Sequence, residues 1–297
     1  MEIRKAQRFA VPQIISISGP SGSGKTYSAL LLAAGLAPEG GKVGFLDTEN
    51  GRGCMYADSP GVIKALPQGY QYGELSAPFS PDRYIEAIDA FERDGHDVLV
   101  IDSASHEWEG QGSVSEIAEQ DKNKWNRAKR LHKRFVNRLL FSRMSIIVCL
   151  RAREKEKIIA PKDSPDGKEH HIPLGMQPVA EKNFVFEMVL SFMCEADTHF
   201  ARPVKVPEQF AAMFSAPRLL TKADGEAIRR WNEGAKSVDE IERLKRMARA
   251  AASDGVEEYK KFWAGITKDQ RTALAVVHDE NKRIAEQVDA GLDQPHE

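Results

Sequence analysis

The sequence predicts an α/β fold, with a mostly parallel central sheet followed by a small C-terminal helical appendage. Three observations predict it. Short apolar runs (11–18, 42–47, 97–103 and 145–150) alternate with helical stretches, the pattern of strands buried on both faces. Between the first run and the first helix lies Gly19-Pro20-Ser21-Gly22-Ser23-Gly24-Lys25-Thr26, which reads as the phosphate-binding loop G-x-x-x-x-G-K-[ST]. From Ser237 onward no strand-like segment remains.

Composition sets the outer bounds. The 297 residues suffice for one large α/β domain and a smaller appendage. At 41% hydrophobic and 29% charged, the chain is able to bury a core. Its net charge of −2 gives no global basic bias, so a nucleic-acid contact must come from a local patch. Cys54, Cys149 and Cys194 lie far apart with no C-x-x-C spacing and read as reduced thiols of an intracellular protein. No apolar run approaches ~18 residues and the N-terminus shows no signal-peptide core, so no membrane association or secretion is expected.

The first strand, VPQIISIS, is apolar and β-branched. The glycines after it let successive N–H groups turn inward onto phosphate oxygens. Lys25 adds a mobile positive charge, and the Thr26 hydroxyl is a ligand for Mg²⁺. Tyr27 to Ala37 is rich in Ala and Leu, hence helical, and points its positive dipole end at the same anion. Residues 19–27, Tyr27 included, are therefore the candidate nucleotide-binding set.

A second strand, KVGFLD, ends in Asp47-Thr48-Glu49, and Glu49 is placed to orient or deprotonate an attacking water. Arg52 to Gln68, punctuated by Gly and Pro, reads as loop with short turns. Ser80 as cap and Pro81 in the first turn start a helix that runs through Arg93. The next strand, DVLVIDS, ends in Asp102, the pattern of a Walker B carboxylate that holds Mg²⁺. The glycine-containing loop after it offers His106 and Glu107 as candidates for sensing the γ-phosphate or polarising water.

Residues 122–143 carry nine Lys/Arg and no Asp or Glu. Ala128, Leu131, Phe135 and Leu139 recur at helical spacing, so this is an amphipathic helix with a basic outer face. That face is either plain solvated surface or a nucleic-acid contact, with Lys124, Arg127, Arg130, Lys133 and Arg134 as its candidate residues. SIIVCL is a further buried strand, and Arg151 at its end is within reach of a γ-phosphate. Arg153, Lys155 and Lys157 follow, leading into a long flexible loop or hairpin over 158–173. Asn183 to Cys194 reads as a strand, with Arg202 and Lys205 in a shorter stretch beyond. The expected domains are 1–215 for ATP binding, 216–236 as a transition helix, and 237–297 as helices. In the last of these, Thr267-Lys268-Asp269-Gln270 is a capping box.

With these residues in hand, the chain resembles the RecA-like branch of P-loop ATPases. It looks especially like phage-encoded members from recombination and replication modules, which act on single-stranded DNA. GPSGSGKT, FLDTEN, LVIDS and IIVCLRAR carry the resemblance, over about residues 10–210. It implies an ATP- and Mg²⁺-dependent ATPase with Glu49 as general base and Lys25, Asp102 and Arg151 as catalytic partners. It further implies stimulation by single-stranded DNA, a ring or filament, and Arg202 and Lys205 reaching a neighbouring subunit's nucleotide. A cytoplasmic, phage- or prophage-encoded protein of recombination or strand annealing is the expectation, with a single-strand-binding or other recombination protein held by the C-terminal helices. Leu150-Arg151 replaces the polar residue usual at the sensing strand's end. The rivals are a small-molecule P-loop kinase and a non-hydrolysing ATP-binding scaffold.

Overall fold

The computed structural model describes residues 5–6, 8–119, 125–159, 170–237 and 240–292. The chain begins with β1 (Phe9–Ala10), β2 (Ile14–Gly19), α1 (Lys25–Leu36) and β3 (Val43–Asp47). A 3-10 turn (Arg52–Tyr56), α2 (Pro60–Ala65), β4 (Gln71–Glu74), α3 (Pro81–Arg93) and β5 (Val98–Asp102) follow. Next come α4 (Ser105–Glu109), α5 (Val114–Glu119), α6 (Trp125–Leu140), β6 (Ser145–Ile159) and β7 (His170–Pro178). The remaining elements are α7 (Phe184–Glu187), β8 (Leu190–Cys194), β9 (Ala201–Lys205), α8 (Glu208–Ala211), α9 (Lys222–Glu233), β10 (Lys236–Ser237), α10 (Glu240–Ser253), α11 (Val256–Gly265) and α12 (Lys268–Leu292).

The main sheet runs β4-β3-β5-β6-β2-β8-β9. Every pairing from β4 to β8 is parallel, and only the edge strand β9 is antiparallel within that order. Because side chains alternate across a strand, each central strand feeds two cores. Ile15, Ile17, Val98, Val100, Ile147 and Cys149 join the core that α1 packs against. Ile14, Leu99, Ile101, Ile146, Val148 and Leu150 point the other way, toward Tyr84 and Ile88 of α3 and Phe135 and Leu139 of α6. The result is three layers, helix–sheet–helix, as continuous apolar strands require.

Several expectations need correction. The run 183–194 is not one strand: α7 turns Phe184 and Val185 into the core and leaves Phe186 exposed before β8 begins. On α6 the buried set is Ala128, His132, Phe135, Val136 and Leu139, so His132 takes the place given to Leu131. Lys155 and Lys157 lie on the arm of a hairpin, because β6 leaves the parallel sheet and pairs antiparallel with β7 from Ala152 to Ile159. Residues 160–169 and Lys124 fall outside the described residues. Within 52–68 the structure adds α2, and the edge strand β4 follows. Ser80 holds the N-cap position of α3, but its side chain makes no capping bond.

The chain divides into two compact units, Pro12–Trp231 and a smaller one built from the two ends of the chain. In the smaller unit β1 pairs in parallel with β10, so the N-terminal strand joins the helical part and not the expected 1–215 domain. Ala248, Ala252, Tyr259 and Ala285 form this unit's core. The capping box is present: Gln270 N–H donates to Thr267 Oγ1 (3.3 Å), and Thr267 N–H donates to Gln270 Oε1 (2.8 Å).

Candidate active site

The carboxyl ends of the parallel strands converge on one edge, where α/β sheets place their ligands. In register there, Asp47 stands beside Asp102 and Gly19 beside Arg151. The loop leaves β2 at Gly19 and enters α1 at Lys25. Gly22 and Gly24 both sit at φ +79°, a conformation glycine adopts without a Cβ penalty. Lys25 Nζ donates to the Pro20 carbonyl (2.8 Å), folding back over the loop.

Thr26 and Asp102 meet across the sheet edge. The Thr26 hydroxyl donates to Asp102 Oδ2 at 2.5 Å. Burial pushes the Asp102 carboxyl up to about 6, against the opposing pull of Thr26 and Lys25. These are two oxygen donors side by side at the exit of a phosphate loop, the donor set a hard divalent cation takes.

Glu49 lies two residues beyond β3 and is fixed from two sides. Asp47 is buried and accepts two backbone bonds, from Glu49 N–H (2.5 Å) and from Gly53 N–H (2.7 Å), which shape the turn. Arg151 supplies a two-pronged clamp: Nε donates to Oε1 and Nη2 to Oε2, each at 2.8 Å. Burial alone would raise the Glu49 pKa, but the hydrogen bond and charge of Arg151 outweigh it and hold the carboxyl below its ordinary value.

His106 stands beside this pair on α4. Its Nδ1 is 2.8 Å from Thr48 Oγ1, which accepts from Ser103 N–H (2.8 Å) and donates to the Ser103 carbonyl (3.0 Å). Burial and the nearby Arg151 lower the His106 pKa, so the ring is neutral at pH 7. Arg153 Nη2 donates to Glu109 Oε1 (2.8 Å) on the other wall. Together these groups line one cleft of about 760 Å³, with Ser21, Lys25, Thr26, Glu49, Asp102, His106 and Arg151 on its surface.

The sequence candidates therefore separate. Residues of the loop, Glu49, Asp102, His106, Arg151 and Arg153 come together. Glu107 does not: it is 1% exposed, and both its oxygens lie 3.1 Å from His132 Nδ1 on α6. A one-turn helix can present only one of two neighbouring residues to the cleft, and His106 is that one. Lys205 is committed elsewhere, donating to the Phe186 (2.5 Å) and Met188 (2.6 Å) carbonyls, and Arg202 lines a separate recess with Lys155 and Gln177. Arg127, Arg130 and Lys133 are exposed on α6, whereas Arg134 pairs with Asp82 at 3.3 Å. Sequence reasoning missed the structural roles of Asp47, Thr48 and Glu109. A carboxylate ending a strand on the loop's side of the sheet was the available signal for Asp47.

Comparison with known proteins finds the following similarities. A family model described as an AAA domain matches residues 12–185. Among curated proteins, the chain is 38% identical over 95 residues to Protein RecA of Clostridium beijerinckii, covering 31% of this chain and 24% of that one. Protein RecA of Gluconobacter oxydans is 36% identical over 94 residues, covering 31% and 26%, and that of Bacillus subtilis is 35% identical over 95 residues, covering 31% and 25%. The match thus spans about a quarter of the length of these relatives. A KaiC-like protein from Pyrococcus horikoshii OT3 aligns over 70% of this chain and 90% of its own at 15% identity and a TM-score of 0.37.

Proposed function

The chain belongs to the AAA domain family, within the RecA-like P-loop ATPases, and on that footing we propose a Mg²⁺-dependent ATPase that acts on single-stranded DNA. The observation that carries the ATPase part is the single cleft that gathers the loop, the Thr26–Asp102 contact and Glu49.

The loop amides and Lys25 bind the β- and γ-phosphates and stabilise the charge that builds on the transferred phosphoryl group. Lys25 must first leave the Pro20 carbonyl, a move its flexible stem allows. Thr26 and Asp102 would hold Mg²⁺, which neutralises charge on the phosphate oxygens. Glu49 accepts a proton from the attacking water, and its lowered pKa keeps it ionised for that task. Arg151 aligns Glu49 and stands close enough to the cleft to share its charge with the γ-phosphate.

The DNA part rests on charge placement. Arg127, Lys129, Arg130 and Lys133 are exposed on α6 with no acidic partner among the described residues. Arg153, Lys155 and Lys157 alternate along β6, on one face of the hairpin arm. Such concentration in a chain of net charge −2 suits a polyanion. Self-association as a ring or filament, Arg202 as a residue acting in trans, a recombination protein at the C-terminal helices and a role in phage-type recombination or annealing belong to the same proposal.

The test is ATP hydrolysis by the purified protein, alone and with single-stranded DNA, at two salt concentrations. Stimulation that fades with salt supports the reading; hydrolysis indifferent to DNA at both salts overturns the DNA part and leaves the ATPase part standing.

A further inference from the structure

Three consecutive residues of α4 face three different environments. His106 reaches the nucleotide cleft. Glu107 is buried against His132 of α6. Trp108 meets α6 edge-on, 6.4 Å from Trp125 and 5.4 Å from His132 between ring centroids.

Trp125 opens α6 and is 40% exposed, although a tryptophan is costly to leave in water. The Lys129 ammonium lies 5.2 Å from its ring centroid. Residues four apart share a helix face, so Trp125, Lys129 and Lys133 form one row, with Arg130 on the exposed side next to Lys133. The Trp108 and Trp125 rings meet at 69°, and the Lys129 ammonium lies over the Trp125 ring, so a base that stacks there takes the place of that ammonium.

A half-exposed aromatic ring amid cations that have no acidic partner among the described residues suits a particular ligand. A duplex stacks its base faces on one another and leaves only phosphates and groove edges to a protein, so it would use the cations and leave the ring idle. An acidic peptide would do the same. An unpaired base uses both, stacking on the ring while its phosphates meet the cations. We propose that Trp125 is a base-stacking platform for a single-stranded nucleic acid, with Lys129, Lys133 and Arg130 holding the flanking phosphates. This rests on the single-stranded-DNA reading above and names its contact site.

The experiment measures binding of the full-length protein to fluorescent oligo-dT and to a duplex of equal length, with DNA-free ATP hydrolysis as a check of the fold. Wild type is expected to prefer oligo-dT, Trp125→Ala to bind it roughly ten-fold or more weakly, and Trp125→Phe to restore most of the loss. Lys129→Ala is expected to reduce the salt slope by about one. In each variant DNA-free hydrolysis stays at the wild-type level, because none of these residues lines the cleft. Wild type that binds oligo-dT while Trp125→Ala binds it equally well overturns the platform alone. Wild type that binds no oligo-dT, or binds duplex as tightly with Trp125→Ala unchanged, overturns it together with the single-stranded-DNA reading.

Discussion

Arg151 and Glu49, 102 positions apart in sequence, face each other through two parallel hydrogen bonds of 2.8 Å. The clamp is an aligner and a restraint at once: both Glu49 oxygens are occupied, so one bond must yield before the carboxylate can take a water proton. Removing the guanidinium leaves burial as the main influence on Glu49 and raises its pKa. Arg151→Ala is therefore expected to move the acid limb of the rate profile to higher pH, measured as kcat across pH 4 to 8. Arg151→Lys should fall between wild type and Arg151→Ala, since an ammonium keeps the positive charge but cannot reproduce the fork. The same pair contributes stability present above the ordinary glutamate range and lost as pH falls through the lowered value.

Glu49→Gln keeps the shape and removes the base. Hydrolysis is expected to fall by roughly 10²–10⁴-fold, the usual worth of a positioned general base. Nucleotide affinity, read with a fluorescent ATP analogue, should change little. Loss of both together would assign Glu49 to binding.

Asp47 is a buried carboxylate serving two backbone N–H groups. Asp47→Ala is expected to cost about 2–6 kcal/mol in urea unfolding, as each of the two stranded donors loses about 1–3 kcal/mol. The turn bearing Glu49 loosens with it, so kcat should drop more than the affinity for ATP.

The Glu107–His132 pair gives a pH-dependent term. Burial would lower His132, but the hydrogen bond and charge of Glu107 raise it. His132 then holds its proton in the fold at a pH where the unfolded chain has released it. That stability is full below the unfolded histidine value, about 6.5, and is lost as pH rises through the folded one. His132→Ala is expected to cost about 3–5 kcal/mol near pH 6 and to flatten the decline above it, measured by chemical denaturation at several pH values. Replacing both residues with leucine should cost less than either single change.

In the smaller unit, Thr267→Ala removes the oxygen that caps α12. About 1 kcal/mol of stability should be lost in thermal melting, with ATP hydrolysis unchanged.

Much of this was legible in the sequence because the central strands are buried on both faces. A continuous apolar run such as Leu99 to Ile101 declares itself without knowledge of its neighbours. The loop was legible for a different reason, since phosphate geometry dictates its glycine spacing. The edge strand β4 was not, because its exposed and half-buried residues show no such run. Glu107 and His132 were misjudged for a shared reason. Which side of a short helix faces a cleft, and whether a histidine lies inward, depend on a partner distant in sequence. Arg151 was placed by its strand; its grip on Glu49 came only with the register of β6 beside β2 and β5.

Strand β6 belongs to two sheets without a break, parallel between β5 and β2 up to Arg151 and antiparallel with β7 from Ala152. At roughly 3.3 Å per residue its 15 residues make a rod about 50 Å long. The strand that brings Arg151 to Glu49 therefore also carries Lys155 and Lys157 outward, and its pairing with β7 slips register at Lys155–Glu156. The phosphate-loop edge and the basic arm are two ends of one strand, six residues apart between Arg151 and Lys157.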